Sequence, residues 1–254
     1  MIDNPSPSSS PATTDFGFRA VPREEKKPLV RAVFESVAPR YDVMNDLMSL
    51  GLHRLWKRIF IDRLAPRTGL SLLDLAGGSG DISFGWLRQG GGRAILSDIN
   101  PAMLAVARKR ARARGIARGL DFLIADAEAL PLPDRSFERV SIAFGLRNCT
   151  DKRAVLAEAW RVLRPGGRFF CLEFSRVQVA ALIPLYDAWS FAVLPRLGRV
   201  IAHDAESYQY LAESIRTFPD QETLAGMMRA VGFARIGVEN LSGGIVAIHS
   251  GWRL

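Results

Sequence analysis

A short apolar run that ends in a cluster of glycines constrains the fold of this chain more than any other feature. Residues 71–81 are SLLDLAGGSGD, and an apolar, helix-like segment follows from Ile82 to Leu87. This pattern is typical of a buried strand that turns tightly into a helix beneath a nucleotide-like ligand, because glycines leave no side chain between backbone and ligand. The N–H groups of the first helical turn are then free to bind that ligand. Taken alone, such a loop is equally well explained as a simple turn.

A second apolar strand ends in an acidic residue. Residues 93–99 are RAILSDI, and Asp98 lies about 20 residues beyond the glycines, the spacing at which a carboxylate meets ribose hydroxyls. A carboxylate suits that task because it accepts hydrogen bonds from both hydroxyls. The alternative is that Asp98 caps the helix that begins at Pro101, but Asn100 is the better cap for that helix. This leaves Asp98 free for a ligand.

Apolar strands alternate with helical segments from Ser71 onward. The predicted strands lie near 71–76, 93–99, 120–125, 138–144 and 167–174, and the predicted helices near 80–89, 101–114, 151–163 and 220–231. This alternation predicts a doubly wound, mostly parallel α/β sheet. At the C-terminus, Ala234–Leu241 and Ile245–Ser250 flank a Ser-Gly-Gly turn, which predicts a hairpin with an antiparallel edge strand and brings the sheet to seven strands.

The 254 residues suffice for one large domain. Residues 1–18 are mostly Pro, Ser, Thr and Asp, so we predict a disordered tail there and a single domain over 19–254. The amphipathic block Arg23–Leu64 is either a packed cover on the sheet or a lid over the ligand. Within this domain we predict a helical cover over 19–66 and a ligand-binding core over 71–175. An insertion or substrate lid over 176–218 and a C-terminal helix with hairpin over 219–254 follow.

The net charge is +8, and basic residues cluster at 108–114 on the predicted helix after Asp98. Dense charge on one amphipathic helix favours a solvated outer face. Aromatic residues do not interleave with the cluster, so the sequence does not support binding of single-stranded nucleic acid.

Cysteine and histidine usage argues against disulfides and metal sites. Cys149 and Cys171 form no CxxC pair, and Cys171 falls in an apolar strand, where we expect an inert core residue. The three histidines show no ligand spacing, so we predict no metal site. We also find no signal peptide and no uncharged apolar run of the ~20 residues that a membrane span needs, and we expect a cytoplasmic protein.

Several motifs together resemble the ubiquinone/menaquinone biosynthesis C-methyltransferases, a family of S-adenosylmethionine-dependent methyltransferases. The similar stretches run from about Phe16 to the C-terminus and are VAPRYDVMND (37–46), DLAGGSGD (74–81), DAEALP (126–131), FGLRN (144–148) and RVLRPGG (161–167). A parallel sheet closed by an antiparallel strand is also characteristic of such methyltransferases. One departure is Ala143, where the family commonly has a serine near the cofactor.

The resemblance implies a Rossmann-like fold with S-adenosylmethionine as the cofactor. Carried over by motif, Gly77 and Ser79 line the cofactor, Asp98 binds its ribose, and Asp126 and Ala127 contact its adenine. An alternative for Asp126 is a turn residue before Pro131. The resemblance does not change the prediction that the protein has no metal site.

The family's reaction implies roles for three further residues. A quinol that loses its phenolic proton can attack a sulfonium methyl through a ring carbon, and the charge on oxygen then needs stabilisation. Arg147 offers a rigid fork of donors for the phenolate, with Asn148 beside it and Tyr41 closing over the ring. The alternative for Arg147 is an ion pair with Asp151 at the start of the next helix.

The implied substrate is a polyprenylated quinol, either 2-methoxy-6-polyprenyl-1,4-benzoquinol or demethylmenaquinol. The apolar segment Val177–Val200 suits an interfacial or tail-binding lid, and an insertion helix packed on the core explains it nearly as well. Peripheral contact with a membrane and a homo-oligomer stay open. Three rival functions are an RNA- or protein-directed methyltransferase, an NAD-dependent oxidoreductase, and a protein that holds S-adenosylmethionine without chemistry.

Overall fold

The computed structural model describes residues 13–37, 46, 49–189 and 205–254 of the 254-residue chain. Within these residues, a two-stranded and a seven-stranded sheet are formed by β1 (Thr13–Phe16), β2 (Arg19–Pro22), β3 (Leu72–Leu75), β4 (Ala94–Asp98), β5 (Leu120–Ile124), β6 (Phe137–Ala143), β7 (Leu163–Phe174), β8 (Ala234–Leu241) and β9 (Val246–Trp252). The α-helices are α1 (Arg23–Val37), α2 (Leu52–Leu64), α3 (Asp81–Arg88), α4 (Pro101–Ala113), α5 (Lys152–Val162), α6 (Ile183–Ala188), α7 (Ala205–Thr217) and α8 (Gln221–Val231).

The glycine loop follows the strand at which the sheet changes its winding direction. β3 pairs in parallel with β4 on one side and with β6 on the other, and the pairs β4–β5 and β6–β7 are also parallel. The strand order is β5-β4-β3-β6-β7-β9-β8. β3 is buried at every residue, as expected for a strand that helices cover on both faces. The prediction of a doubly wound, mostly parallel sheet is confirmed, and its switch point is where such folds form a ligand crevice.

The antiparallel strand lies inside the sheet. β8 and β9 form the predicted hairpin, but β9 also pairs antiparallel with β7, from Arg168↔Trp252 to Phe174↔Val246. The predicted antiparallel direction of the last strand is confirmed, but its expected position at the edge of the sheet is wrong, because β8 forms the edge. Burial explains the order: β9 is buried from Val246 to Gly251, whereas the residues of β8 are exposed or half-buried.

The N-terminal segment corrects a second expectation. Residues 13–16 form β1, which pairs antiparallel with β2 across a turn in which Gly17 has a φ of 61°. Phe16 is 6% exposed and stacks on Tyr210 at 4.2 Å between ring centroids. The prediction of disorder is therefore wrong for residues 13–18, and residues 1–12 lie outside the described residues. A short hairpin anchored by one aromatic side chain leaves little trace in composition.

Apolar clusters lie on both faces of the sheet. Helices α2, α3 and α7 pack on one face through residues such as Phe60, Trp86 and Leu211. Helices α5 and α8 pack on the other face, where Cys171 of β7 is fully buried as predicted for a core residue. Burial of each large apolar side chain stabilises the fold by roughly 1.5–3 kcal/mol. No helix in the described part of the chain has both the length and the apolar character to cross a membrane.

Candidate active site

The loop between β3 and α3 requires its glycines. Gly78 and Gly80 have φ values of 55° and 92°, in the left-handed region that favours glycine. A Cβ on Gly80 would lie 2.5 Å from the Phe84 ring, and a Cβ on Gly77 would lie 2.9 Å from Leu96. The loop therefore presents bare backbone at the carboxyl end of β3, directly before the N-terminus of α3.

Asp98 ends β4 beside this loop. Its Oδ2 accepts a hydrogen bond from the Gly78 N–H at 2.9 Å, and its Oδ1 accepts one from the Asn100 N–H at 2.8 Å. Burial raises the pKa of Asp98, while these two backbone hydrogen bonds oppose the rise. Asn100 caps α4 as predicted, because its Oδ1 accepts from the Ala102 N–H at 2.9 Å. The Nδ2 of Asn100 is buried and has no hydrogen-bond partner in the part of the chain that the structure describes.

Asp126 lies just beyond the end of β5 and is engaged twice. Its Oδ1 accepts a hydrogen bond from the Glu128 N–H at 2.9 Å, so the turn role is real. Its Oδ2 lies 2.6 Å from Nζ of Lys27 on α1, and the same Nζ lies 3.0 Å from a Glu128 oxygen. These carboxylates raise the pKa of Lys27 against the effect of its partial burial. Helix α1 is thus tied by charge to the edge of the site.

A crevice of about 820 Å³ joins these strand ends. Four of the predicted site residues line it, namely Asp98, Asp126, Ala127 and Asn148. A second compartment of about 340 Å³ lies against the glycine loop, and Gly77, Ser79 and Lys57 are among its lining residues. Ala143 and Phe144 line both compartments and therefore mark their boundary.

Charge in the second compartment is concentrated on Asp81, the first residue of α3. One of its oxygens lies 2.8 Å from Nζ of Lys57, and the other lies 2.8 Å from a guanidinium nitrogen of Arg110. Burial works to raise the pKa of Asp81, but the two cations and Arg114 prevail and lower it to about 2. The carboxylate is therefore charged at neutral pH and holds Lys57 at the compartment wall.

Arg147 lies in the 3₁₀ turn Leu146–Asn148, directly after β6, and it is 5% exposed. Its Nη1 donates to Oε1 of Glu173 at 2.8 Å and to the Phe144 carbonyl at 2.6 Å. Its Nε is buried, and no described residue is its hydrogen-bond partner. The expected alternative partner, Asp151, instead pairs with Arg23 at 3.0 Å. Burial raises the pKa of Glu173, and Arg147 counters this as its ion-pair partner.

Asn148, the next residue, faces the crevice. Its Oδ1 accepts a hydrogen bond from the hydroxyl of Tyr210 on α7 at 3.1 Å. Tyr41, the third predicted catalytic residue, lies outside the described residues. The roles assigned to Arg147, Asn148 and Tyr41 stay predictions.

Aromatic rings connect the crevice to an apolar pocket of about 670 Å³. The ring centroid of Phe144 lies 5.0 Å from that of Phe174, and Trp56 lies 6.0 Å from Phe174. Trp56 and Phe174 line the pocket, together with Tyr186 and Trp189 from the predicted lid segment. The described part of 177–200 therefore contacts the core through aromatic side chains.

Known proteins match this chain over nearly its whole length. The family model of the ubiE/COQ5 methyltransferase family matches residues 20–253. The chain belongs to the ubiE/COQ5 methyltransferase family. It is 67% identical to a ubiquinone/menaquinone biosynthesis C-methyltransferase UbiE from Acidiphilium cryptum, over 97% of this chain and 99% of that protein. A UbiE from Serratia proteamaculans is 54% identical over 95% and 97% of the two chains. The resemblance drawn from the motifs is confirmed.

Solved structures agree on the fold of this ubiE/COQ5 family member. A SAM-dependent methyltransferase from Thermotoga maritima superposes with a TM-score of 0.63 at 20% identity, covering 89% of this chain and all of that one. A putative methyltransferase from Haloferax volcanii, solved with the Trm112 activator, gives a TM-score of 0.62 at 18% identity, over 88% and 97% of the two chains. At these identities the likeness shows the architecture alone.

Four residues of this ubiE/COQ5 site were not predicted from the sequence, and they differ in how far the sequence could have indicated them. Asn100 was assigned only as a helix cap, although it also lines the crevice and its amide nitrogen has no hydrogen-bond partner among the residues that are described. Lys57 lies on α2 and reaches the site only through folding. Glu173 was visible as an acidic residue at the end of an apolar strand, a placement that signals a functional or paired carboxylate. Tyr210 gave no local signal.

Proposed function

We infer that this protein is an S-adenosylmethionine-dependent C-methyltransferase that methylates the ring of a polyprenylated quinol in ubiquinone and menaquinone biosynthesis. The observation that carries the inference is 67% identity, over 97% of this chain, with the Acidiphilium protein named for that activity. The crevice at the carboxyl ends of the parallel strands supports it, because such sheets bind their ligands there.

The crevice fits S-adenosylmethionine by its own chemistry. The Nδ2 of Asn100 and the Oγ1 of Thr150 are buried and have no hydrogen-bond partner among the described residues, and both residues line the crevice. Buried polar atoms are normally hydrogen-bonded, so a ligand with hydroxyls and ring nitrogens supplies what these two atoms lack. Gly77 has no room for a Cβ, because that atom would lie 2.9 Å from Leu96 and 3.0 Å from Asp74 Oδ2, so the loop packs tightly on β3 and β4 beside the ligand site.

We assign the nucleoside part to the first compartment. The Ile99 side chain is 47% exposed and offers an apolar face for the adenine ring. Asp126 accepts from the exocyclic amine and the Ala127 N–H donates to a ring nitrogen. Each carboxylate oxygen has two lone pairs, so the protein contacts of Asp98 and Asp126 leave acceptor capacity for ribose hydroxyls and amine.

The methionyl part then falls to the second compartment, which Gly77, Ser79 and Lys57 line. Lys57, which is also paired with Asp81, and the N-terminus of α3 suit the carboxylate of an amino acid there, and the charged Asp81 suits its ammonium group. When bound, S-adenosylmethionine supplies a methyl group on a positively charged sulfur that leaves as a neutral thioether. Ala143 at the compartment boundary offers a methyl group where the family commonly has a hydroxyl.

The quinol loses a proton, receives a methyl group on a ring carbon, and then loses the proton of that carbon. Its phenolic proton leaves to water, the ring carbon beside the phenolate oxygen forms the new bond to the methyl carbon, and the carbon–sulfur bond breaks. The same ring carbon then loses its hydrogen as a proton, which restores aromaticity and leaves a phenolate that takes a proton back from water, so one proton is released overall. What the protein must supply is a donor for the phenolate oxygen and a site closed to water.

Asn148 and Arg147 are the candidates for that donor. Asn148 lines the crevice, so its amide is placed to contact the phenolate. Arg147 is paired with Glu173 at 2.8 Å, and a paired guanidinium contributes through its field and by holding the turn. We propose that Arg147→Ala binds S-adenosylmethionine normally yet loses turnover, and that Tyr41 closes over the quinol ring. Equal losses in cofactor binding and turnover would contradict the chemical role of Arg147.

The decisive experiment for the proposed function is an incubation with methyl-labelled S-adenosylmethionine and short-tailed demethyl benzoquinol or naphthoquinol. Mass spectrometry of the products is expected to show one added labelled methyl group on the ring carbon. A matched reaction with the oxidised quinone should give no product, because the ring is no longer nucleophilic. Calorimetric binding of S-adenosylmethionine without methylation of either ring would refute the quinol assignment and leave the cofactor assignment intact.

We further propose that the apolar pocket beside Phe174 receives the polyprenyl tail. Leu182 lines that pocket, whereas the neighbouring Ile183 is 41% exposed and does not. Leu182→Trp is therefore expected to raise the KM for a long-tailed quinol several-fold while leaving a short-tailed quinol unaffected. Ile183→Trp is the matched control, and equal effects of both variants would argue against the pocket.

Peripheral contact with the cytoplasmic face of the inner membrane belongs to the same proposal. The pocket residue Leu50 is 69% exposed. Leu55 and Val179, which lie close in sequence to other pocket residues, are 52% and 46% exposed. Exposed apolar side chains around a tail pocket suit contact with lipid. Leu50→Asp with Leu55→Asp should reduce flotation with liposomes, whereas Val238→Asp on the edge strand should not.

The basic cluster at 108–114 is partly occupied within the protein. Arg110 pairs with Asp81, and the guanidinium groups of Arg108 and Arg114 lie 5.1 Å and 4.9 Å from the ring centroids of Phe122 and Phe84. Three of the basic groups that an RNA-directed methyltransferase would use thus have internal contacts. This favours the quinol reaction over the RNA-directed alternative.

A further inference from the structure

We propose that Tyr210 is a positioning residue for the methyl transfer, because it fixes the orientation of the Asn148 amide so that its NH₂ group faces the quinol oxygen. The inference rests on the proposed function and adds a residue outside the cofactor-binding core. It assigns to helix α7 a part in the chemistry.

The geometry of Tyr210 is that of a fixed donor. Its hydroxyl donates to Oδ1 of Asn148 at 3.1 Å, across 62 residues of sequence. The side chain is 4% exposed, and its ring stacks on Phe16 at 4.2 Å with an interplanar angle of 20°. Burial raises the pKa of Tyr210, so the hydroxyl keeps the proton that it donates. The ring is therefore held from one side while the hydroxyl holds the amide on the other.

An amide has a donor end and an acceptor end, and the two require different partners. With Oδ1 of Asn148 bound to Tyr210, the NH₂ end is the one available to a ligand in the crevice that Asn148 lines. A rotated amide would present its oxygen to the phenolate, and two acceptors would face each other. Tyr210 thus selects the rotamer that stabilises negative charge.

The need for such a donor follows from the neighbouring residue. Arg147 is engaged through Nη1 with Glu173 and the Phe144 carbonyl and is not among the residues that line the crevice, whereas Asn148 is. The hairpin β1–β2 supports α7 at a second point, because the Phe18 N–H donates to Glu213 at 3.0 Å. The N-terminal hairpin, α7 and the turn Leu146–Asn148 therefore form one connected support for the amide.

The test is a double-variant cycle in kcat with a short-tailed demethyl quinol. Tyr210→Phe keeps the stacked ring and removes only the hydroxyl, so kcat should fall about fivefold, the effect of losing one orienting hydrogen bond. The Kd for S-adenosylmethionine and the KM for the quinol should stay within a factor of two. Asn148→Ala should lose more, and the double variant should match Asn148→Ala because the hydroxyl then has nothing to orient.

Ser214→Ala is the matched control, since Ser214 lies on the same helix and its buried hydroxyl donates to the Leu211 carbonyl at 2.9 Å. It removes a hydroxyl without touching the turn, so kcat should stay unchanged. The proposal is overturned if Tyr210→Phe equals the wild type, if its loss multiplies with that of Asn148→Ala, or if Ser214→Ala shows the same loss. Failure of the wild type to methylate any quinol would instead refute the proposed function.

Discussion

Ala76 and Gly145 lie side by side after the adjacent strands β3 and β6. The backbone of Ala76 has a conformation that favours glycine, whereas that of Gly145 accepts any residue. Ala76 has a φ of 47°, in the left-handed region where glycine is preferred. Gly145 has φ −114° and ψ −30°, a conformation open to any residue. A Cβ on Gly145 would lie 2.7 Å from the Cβ of Ala76. Gly145 is therefore required mainly because Ala76 carries a methyl group, with a weaker constraint from Ile142 Cγ1 at 3.3 Å.

The single variants should have opposite effects. Gly145→Ala forces two methyl carbons together, and overpacking of this kind costs about 1–3 kcal/mol, offset by about 0.4–1 kcal/mol from the stiffer unfolded chain. Ala76→Gly relieves about 1–2 kcal/mol of left-handed strain and loses about 0.5–1 kcal/mol to backbone entropy. We expect Gly145→Ala to destabilise by about 1–2 kcal/mol and Ala76→Gly to be neutral or slightly stabilising.

The exchange of the two residues tests the argument. In the double variant the new methyl group on residue 145 occupies the space that Ala76→Gly vacates, so stability should return to within about 0.5 kcal/mol of the wild type. Urea unfolding of all four proteins gives the coupling energy, which should be at least about 1 kcal/mol in favour of the double variant. Additive effects would refute the steric reasoning. Both residues line the crevice, so the Kd for S-adenosylmethionine should be measured in parallel.

Three further predictions address the site and its loop. Asp98→Ala leaves the N–H groups of Gly78 and Asn100 without acceptors, so calorimetry should show S-adenosylmethionine binding weakened about a hundredfold or more; a change below threefold would exclude the ribose role. Burial raises the pKa of Asp74 from 3.8 to about 6, so the unfolded chain releases the Asp74 proton at lower pH than the folded chain does. The folded state therefore loses stability as the pH rises from 3.8 to about 6. The unfolding free energy of Asp74→Asn relative to the wild type, measured with urea, should therefore increase by about 2 kcal/mol between pH 4.5 and 7.5. A difference that stays constant with pH would contradict the burial argument. Gly80→Ala should destabilise by at least about 2 kcal/mol more than Gly90→Ala, because both have positive φ but only Gly80 meets a ring at 2.5 Å; equal thermal shifts would argue against the clash.

Local patterns were enough to predict the parallel half of the sheet and its ligand loop. The helix cap at Asn100 and the carboxylate at Asp98 followed from residues within a few positions of each other. The motif at 144–148, taken together with the other matching stretches, predicted the family, and the family model over residues 20–253 confirms it. Signals of this kind depend on hydrophobic period, glycine conformation and capping, which act over one or two turns of chain.

Only the tertiary structure decided which groups meet at the site. Arg147 pairs with Glu173, 26 residues away, because the carboxyl ends of the adjacent parallel strands β6 and β7 bring the two together. Lys27 reaches Asp126 across 99 residues, and Tyr210 reaches Asn148 across 62. The insertion of β9 between β7 and β8 likewise depends on which strand is apolar enough for burial on both sides. Sequence determines each segment's local preference, but partners across the sheet are selected by packing and charge once the segments are assembled.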